Sequence, residues 1–252
     1  MMNNQTEQGE PRGDDAVLVL QHFRSEPPAV YEEILLDRGY RIHRVELDEG
    51  EQLPDHHDFA AIVVMGGPMG ALDDADHPWL AAERSYIATA VAAGIPYWGV
   101  CLGAQLLAAA LGSRVYTGRT PEVGTYGVEV TAEAAADPVF AGLPERFTVF
   151  QWHSDTFDLP AGARRLVRSE LYENQVFAVG SAYAVQFHVE VGRELAAEWA
   201  SLPSYQRALE SLYGEGATAR VMERLTETVE GNRRIATEIF SAWMEKFVEQ
   251  GA

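Results

Sequence analysis

Cys101 is the only cysteine in 252 residues, so no internal disulfide staples the chain and a reduced compartment is expected. Lysine is as scarce: Lys246 is the single one among 19 basic side chains, which face 38 acidic ones and leave a formal charge of -19. A surface of that sign repels a phosphate backbone or an anionic bilayer, which argues against nucleic acid and membrane partners. No basic start followed by an apolar stretch marks a secretory leader, and a cytoplasmic location is expected. One charge-free run, Ile87 to Ser113, is long enough to span a bilayer, but Gly94, Pro96, Gly99, Gly103, Gln105 and Gly112 punctuate it. A lipid-exposed helix so interrupted would leave backbone groups unsatisfied, whereas a buried strand, turn and helix would not.

What remains is an ordinary globular composition, 47% apolar and 23% charged, with length enough for one large core. Residues 1–14 are polar and aperiodic and read as a disordered tail. Short apolar runs at Ala16–Leu20, Tyr40–Val45, Phe59–Met65 and Pro96–Val100 then alternate with helical stretches at Ala29–Arg38, Pro78–Ala93 and Gly103–Leu111. Continuously apolar strands interleaved with helices predict a parallel sheet covered on both faces. The second half predicts short strands at Gly127–Thr131, Phe147–Gln151, Arg164–Arg168, Val176–Val179 and Ala182–Phe187, some of them antiparallel. Beyond Gly192 the pattern is helical, and Gly231 is expected to separate a helix over Ala217–Val229 from one over Asn232–Val248.

Gly99-Val100-Cys101-Leu102-Gly103 falls where a buried strand ends and an Ala/Leu-rich helix begins. A sharp strand-to-helix turn strains its central residue, needs small neighbours and lifts the side chain off the sheet, as in a nucleophile elbow with cysteine in place of serine. The helix N-terminus favours the thiolate. A buried structural cysteine between packing glycines is the competing reading of these five residues. A nucleophile needs a base and a group to orient it. In Ala184-Val185-Gln186-Phe187-His188-Val189-Glu190, an extended chain puts Gln186 and His188 on one face with Glu190 two residues on. His22, His43, His56, His57 and His77 show no partner at fixed spacing. Asp55-His56-His57-Asp58 and the Asp73–His77 segment read as solvated acidic loops, and no metal is expected. Met65-Gly66-Gly67-Pro68-Met69-Gly70 lacks the spacing of a dinucleotide loop.

These three segments, 65–70, 98–108 and 185–190, resemble in order and spacing the signatures of class I (triad-type) glutamine amidotransferases, over roughly Ala16 to Ser201. The further segment Gln151-Trp152-His153-Ser154-Asp155-Thr156-Phe157 resembles a substrate-side loop of the stand-alone, GMP-synthase-like members. The resemblance implies a flavodoxin-like three-layer α/β fold: a central mostly parallel sheet with helices on both faces, a small antiparallel sheet and a C-terminal helical extension. On this reading residues 15–201 form the catalytic domain and 202–252 the extension. Cys101 is then implied as nucleophile, His188 as general base and acid, and Glu190 as its orienting partner. The backbone N–H groups of Leu102 and Gly67 would form the oxyanion hole. Gly66, Gln105, Trp152, His153, Ser154 and Asp155 are the implied substrate contacts. Family members commonly carry proline between the histidine and the glutamate; Val189 stands there in this chain, the spacing is kept, and the triad is expected to form. No cofactor is implied. The substrate would be glutamine or a γ-glutamyl small molecule, and a separate synthase subunit would receive the ammonia. The alternatives are a self-sufficient γ-glutamyl hydrolase or peptidase, and a catalytically silent binding or regulatory homologue. The oligomeric state stays open.

Overall fold

Six consecutive buried residues make strand β1 (Ala16–Gln21) an inner strand, with no polar face to turn to water. In the computed structural model, which describes residues 15–250, β1 pairs in parallel with β2 (Arg41–Glu46) and with β3 (Ala61–Val64). Strands β4 (Tyr97–Val100) and β9 (Ala182–Val185) extend the parallel ladder. The polar segment 1–14, read above as a tail, lies outside the described residues. The strand order 2-1-3-4-9 is the flavodoxin-like doubly wound arrangement, which builds sites beyond the carboxyl ends of its strands. Helix α1 (Val30–Asp37) packs on one face, and α2 (Trp79–Ala92) and α3 (Leu102–Ala110) on the other.

The antiparallel strands do not form a separate small sheet as expected. β8 (Val176–Val179) pairs antiparallel with β9, and β7 (Arg164–Ser169), β5 (Val115–Val130) and β6 (Arg146–Phe157) follow, so all nine strands belong to one sheet. β5 and β6 are far longer than the predicted Gly127–Thr131 and Phe147–Gln151. Gly118, Pro121 and Gly124 all lie within β5, where the ladder shifts register between Thr117 and Glu122 and then resumes. One result matters for the site: Trp152 to Asp155, expected in a loop, lie inside strand β6.

Three helices close the chain: α4 (Arg193–Ser201), α5 (Pro203–Tyr213) and α6 (Ala217–Trp243), the last running into a π-helical turn at Met244–Glu249. Gly231 does not break α6. A mid-helix glycine costs about 1 kcal/mol relative to alanine, and the buried stripe of Leu225, Val229, Ala236, Ile239, Phe240 and Trp243 outweighs it. That stripe ends in the main core, where Trp243 packs 5.4 Å from Trp98 and donates its indole N–H to the Ser181 carbonyl at 3.0 Å. No helix among the described residues is long and apolar enough to cross a membrane.

Candidate active site

Cys101 adopts φ 51° and ψ -104°, a backbone region costly for any side chain. Its surroundings enforce it. The N–H of Cys101 donates to the Val185 carbonyl at 2.8 Å while α3 starts at the next residue. A Cβ on Gly99 would sit 2.6 Å from the Gly103 carbonyl oxygen, and one on Gly103 would strike the Val64 carbonyl. The two glycines flanking the elbow are therefore required by close backbone approach, as the spacing predicted. Gly103→Ala is expected to destabilise the fold by about 1–3 kcal/mol through overpacking, visible as a lowered midpoint in urea unfolding. Leu102 is the first residue of α3, so its N–H has no acceptor within the helix. No hydrogen bond from it or from the Gly67 N–H to another described residue exists.

The last sheet strand stops at Val185, two residues short of the expected end, because the chain turns to pair with β6. His188 N–H donates to the Phe150 carbonyl at 2.8 Å, and Phe150 N–H returns the bond at 3.3 Å. The imidazole Nδ1 donates to Glu190 Oε1 at 2.7 Å, with both residues buried. Val189 N–H donates to the second carboxylate oxygen of Glu190 at 3.0 Å. A proline at 189 has no N–H to give, so the departure from the family pattern adds a restraint on Glu190. Burial opposes a charge on His188, yet the Glu190 carboxylate and the neighbouring Cys101 sulfur prevail and hold its pKa well above the usual histidine value. Cys101 and His188 line one cavity of about 410 Å³, and the Cys101 thiol points to the Trp152 carbonyl at 3.8 Å.

Gly67, Gln105 and Trp152 to Asp155 line this cavity too. Their free groups differ from what the sequence implied. Gln105 already donates to the Asp155 carbonyl at 3.3 Å and to Gln186 Oε1 at 3.2 Å. His153 turns its Nε2 to Glu122 at 2.9 Å and its Nδ1 to the Asp155 carbonyl at 2.8 Å. Glu122 also accepts from Ser169 and Gln175, so this imidazole serves a buried network. Asp155 accepts from the Thr117 hydroxyl at 2.8 Å, and Ser154 is exposed at the rim. Gly66 lies behind the cavity lining: a Cβ there would strike the Glu26 carboxylate.

Two buried features had no signal in the sequence. His22, whose segment offers no partner at fixed spacing, is fully buried; its Nδ1 donates to the Gly66 carbonyl at 3.1 Å and its Nε2 to Glu83 at 2.8 Å. Burial opposes its charge, but Glu83 wins and raises the pKa. This pair stabilises the protein fully below the unfolded histidine value near 6.5, and its contribution is lost as pH rises through the higher folded value. Glu83→Ala, which leaves His22 buried and unpaired under the Gly66 turn, is expected to cost about 3–5 kcal/mol in chemical unfolding. The second feature is Glu26. Its carboxylate lines the Cys101 cavity and accepts from the hydroxyl of Tyr205, 179 residues away on α5.

The ligand atoms of Asp55, His56 and His57 lie within 4.8 Å of one another, on a turn that does not line this cavity. Of the second acidic segment, Asp73 accepts from Gly70 N–H at 2.7 Å and Asp74 pairs with Arg84 at 2.7 Å, so these two are structural rather than merely solvated.

A strained cysteine at a helix N-terminus, set at the carboxyl edge of a doubly wound sheet and lining one cavity with a carboxylate-paired histidine, defines an α/β protein with an elbow turn. Within that class, the chain belongs to the class-I glutamine amidotransferase family, whose sequence model matches residues 30–198. It is 33% identical over 174 residues to the glutamine amidotransferase-like protein YfeJ of Salmonella typhimurium, covering 67% of this chain and 73% of that one. It is 38% identical over 131 residues to the glutamine-hydrolyzing GMP synthase of Thermomicrobium roseum, covering 52% of this chain but only 23% of the relative. Among solved structures, a glutamine amidotransferase of Thermotoga maritima superposes with a TM-score of 0.82 at 32% identity, over 93% of this chain and 98% of that one. That match is broad enough to take in most of the C-terminal helices.

Proposed function

We propose that this protein hydrolyses the side-chain amide of glutamine through a γ-glutamyl thioester on Cys101. The single observation that carries the reading is the convergence of the strained cysteine and the Glu190-bound His188 on one cavity. The thiolate attacks the amide carbon, and negative charge develops on the carbonyl oxygen. The N–H groups of Leu102 and Gly67 would receive that charge, each worth on the order of 3 kcal/mol. The C–N bond breaks as the His188 imidazolium gives its proton to the departing nitrogen. Water, deprotonated by the now neutral imidazole, then cleaves the thioester and returns glutamate and the free thiol. Glu190 keeps Nδ1 protonated throughout, so that Nε2 is the nitrogen that exchanges protons.

Ammonia formed in this way would pass to a synthase on a separate polypeptide. Supporting this is a relative from Natronomonas pharaonis, named as one subunit of a glutamine-hydrolyzing GMP synthase and 33% identical over 61% of this chain. The test is direct. Protein mixed with glutamine and quenched in acid is expected to carry a γ-glutamyl adduct on the peptide containing Cys101, with ammonia released in parallel. Absence of both removes the reading.

A further inference from the structure

Glu26 is 8% exposed, and the first of its carboxylate oxygens accepts from Tyr205 Oη at 2.7 Å. No donor among the described residues meets the second oxygen, which lies against Gly66 in the Cys101 cavity. A carboxylate oxygen of a mostly buried side chain that meets no protein donor yet is reachable from the cavity is open to a cation or a donor from outside the protein. The same end of the cavity is walled by three aromatic rings. Trp152 and Tyr205 stack with centroids 4.6 Å apart, and Trp199 meets Tyr205 edge-on at 5.8 Å and Trp152 at 6.4 Å. Aromatic rings lining a cavity beside a carboxylate supply the two kinds of group that hold an organic ammonium. Burial raises the pKa of Glu26, chiefly by desolvation and against the pull of His188, so an arriving cation would also offset the cost of ionising it.

The position of this corner fixes which part of a substrate it meets. The point where a Gly66 Cβ would sit is 3.5 Å from His188 Cε1 and overlaps Glu26 Oε2, so carboxylate and imidazole adjoin. His188 is the group that protonates the departing nitrogen in the mechanism above, hence Glu26 stands on the leaving-group side of the thiol. The wall there comes from α4 and α5, with Ser25 donating to Glu198 at 2.7 Å and tying the Glu26 turn to them.

We infer that Glu26, Trp152, Trp199 and Tyr205 form a cation subsite for the leaving group, and that the preferred substrates are γ-glutamyl amides of amines bearing a second, distal ammonium. This rests on the hydrolysis proposed above and extends its substrate class. Atoms balance as before: the γ-glutamyl C–N bond breaks, His188 supplies one proton, water supplies the hydroxyl, and glutamate and a diamine leave.

The test compares the γ-glutamyl amide of 1,4-diaminobutane with that of pentylamine, the same length without the distal charge. Wild-type protein is expected to favour the charged substrate at least tenfold in kcat/KM, and Glu26→Gln to bring that ratio near one. Free 1,4-diaminobutane, followed by tryptophan fluorescence, is expected to bind wild type and at least tenfold more weakly to Glu26→Gln, with 1,4-butanediol binding neither. Glu26→Asp, which keeps the charge but withdraws it, is expected to bind with intermediate affinity and serves if the glutamine variant does not fold. Equal rates on both amides, or diamine binding indifferent to Glu26, overturns the subsite while leaving hydrolysis standing. Diamine binding that depends on Glu26, in a protein that cleaves no γ-glutamyl substrate, supports the subsite and removes the hydrolysis reading instead.

Discussion

Replacing Cys101 by alanine is expected to lower glutamine hydrolysis by a factor on the order of 10^4 to 10^6, the loss seen when a covalent nucleophile is removed from a preorganised site. The cavity, the N–H groups of Leu102 and Gly67 and the Glu190-paired His188 all survive the change, so what residual rate exists would come from binding and orientation alone. Alanine is also smaller than cysteine at a backbone conformation hostile to any Cβ, so the variant should fold at least as well as the parent. Ammonia release at saturating glutamine, together with an unfolding curve, separates the two effects. Activity of Cys101→Ala within tenfold of wild type would refute thioester chemistry.

Glu190→Gln is expected to lower kcat by roughly 10^4, since an amide can present its NH2 to Nδ1 and favour the wrong tautomer. Its second signature is a displaced pH profile. In the parent, burial works against the imidazolium, but Glu190 and the Cys101 sulfur hold the His188 pKa well above the ordinary value. Without the carboxylate, burial gains the upper hand and the imidazolium is lost at lower pH. The alkaline limb of the rate profile, which reports loss of the proton needed by the leaving nitrogen, should therefore move toward acid. The same sign governs stability: a raised histidine pKa stabilises the fold below the unfolded value and ceases to do so as pH climbs through the folded one. A profile unmoved by Glu190→Gln would show that another group sets the charge of His188.

The parallel half of the fold was legible because four of its five strands, β1, β3, β4 and β9, are buried along their whole length; β1, β4, α1 and α3 fall within a residue of their predicted ends at both termini. The Cys101 elbow and the His188–Glu190 pair were legible for a related reason: each is a local pattern whose geometry follows from a few consecutive residues. The long hairpin of β5 and β6 was not, because Gly118 and Pro121 sit at a register shift that is recognisable only once the partner strand is known. Glu26 and Tyr205, or His22 and Glu83, meet across 179 and 61 residues. No spacing encodes such pairs; only the completed topology does. Gly231 misled for the opposite reason, since its local penalty is real but smaller than the apolar stripe that carries α6 past it.

The final turns of α6 have a practical meaning for anyone shortening this protein. Phe240, Trp243, Met244 and Val248 sit in the same apolar interior as Trp98 and Tyr31, directly beneath the strand that delivers Cys101. A fragment trimmed to residues 30–198, the stretch that the family model matches, would uncover several aromatic rings at once and lose the floor on which the Cys101 turn rests. The setting of residue 101 thus depends on residues near 245.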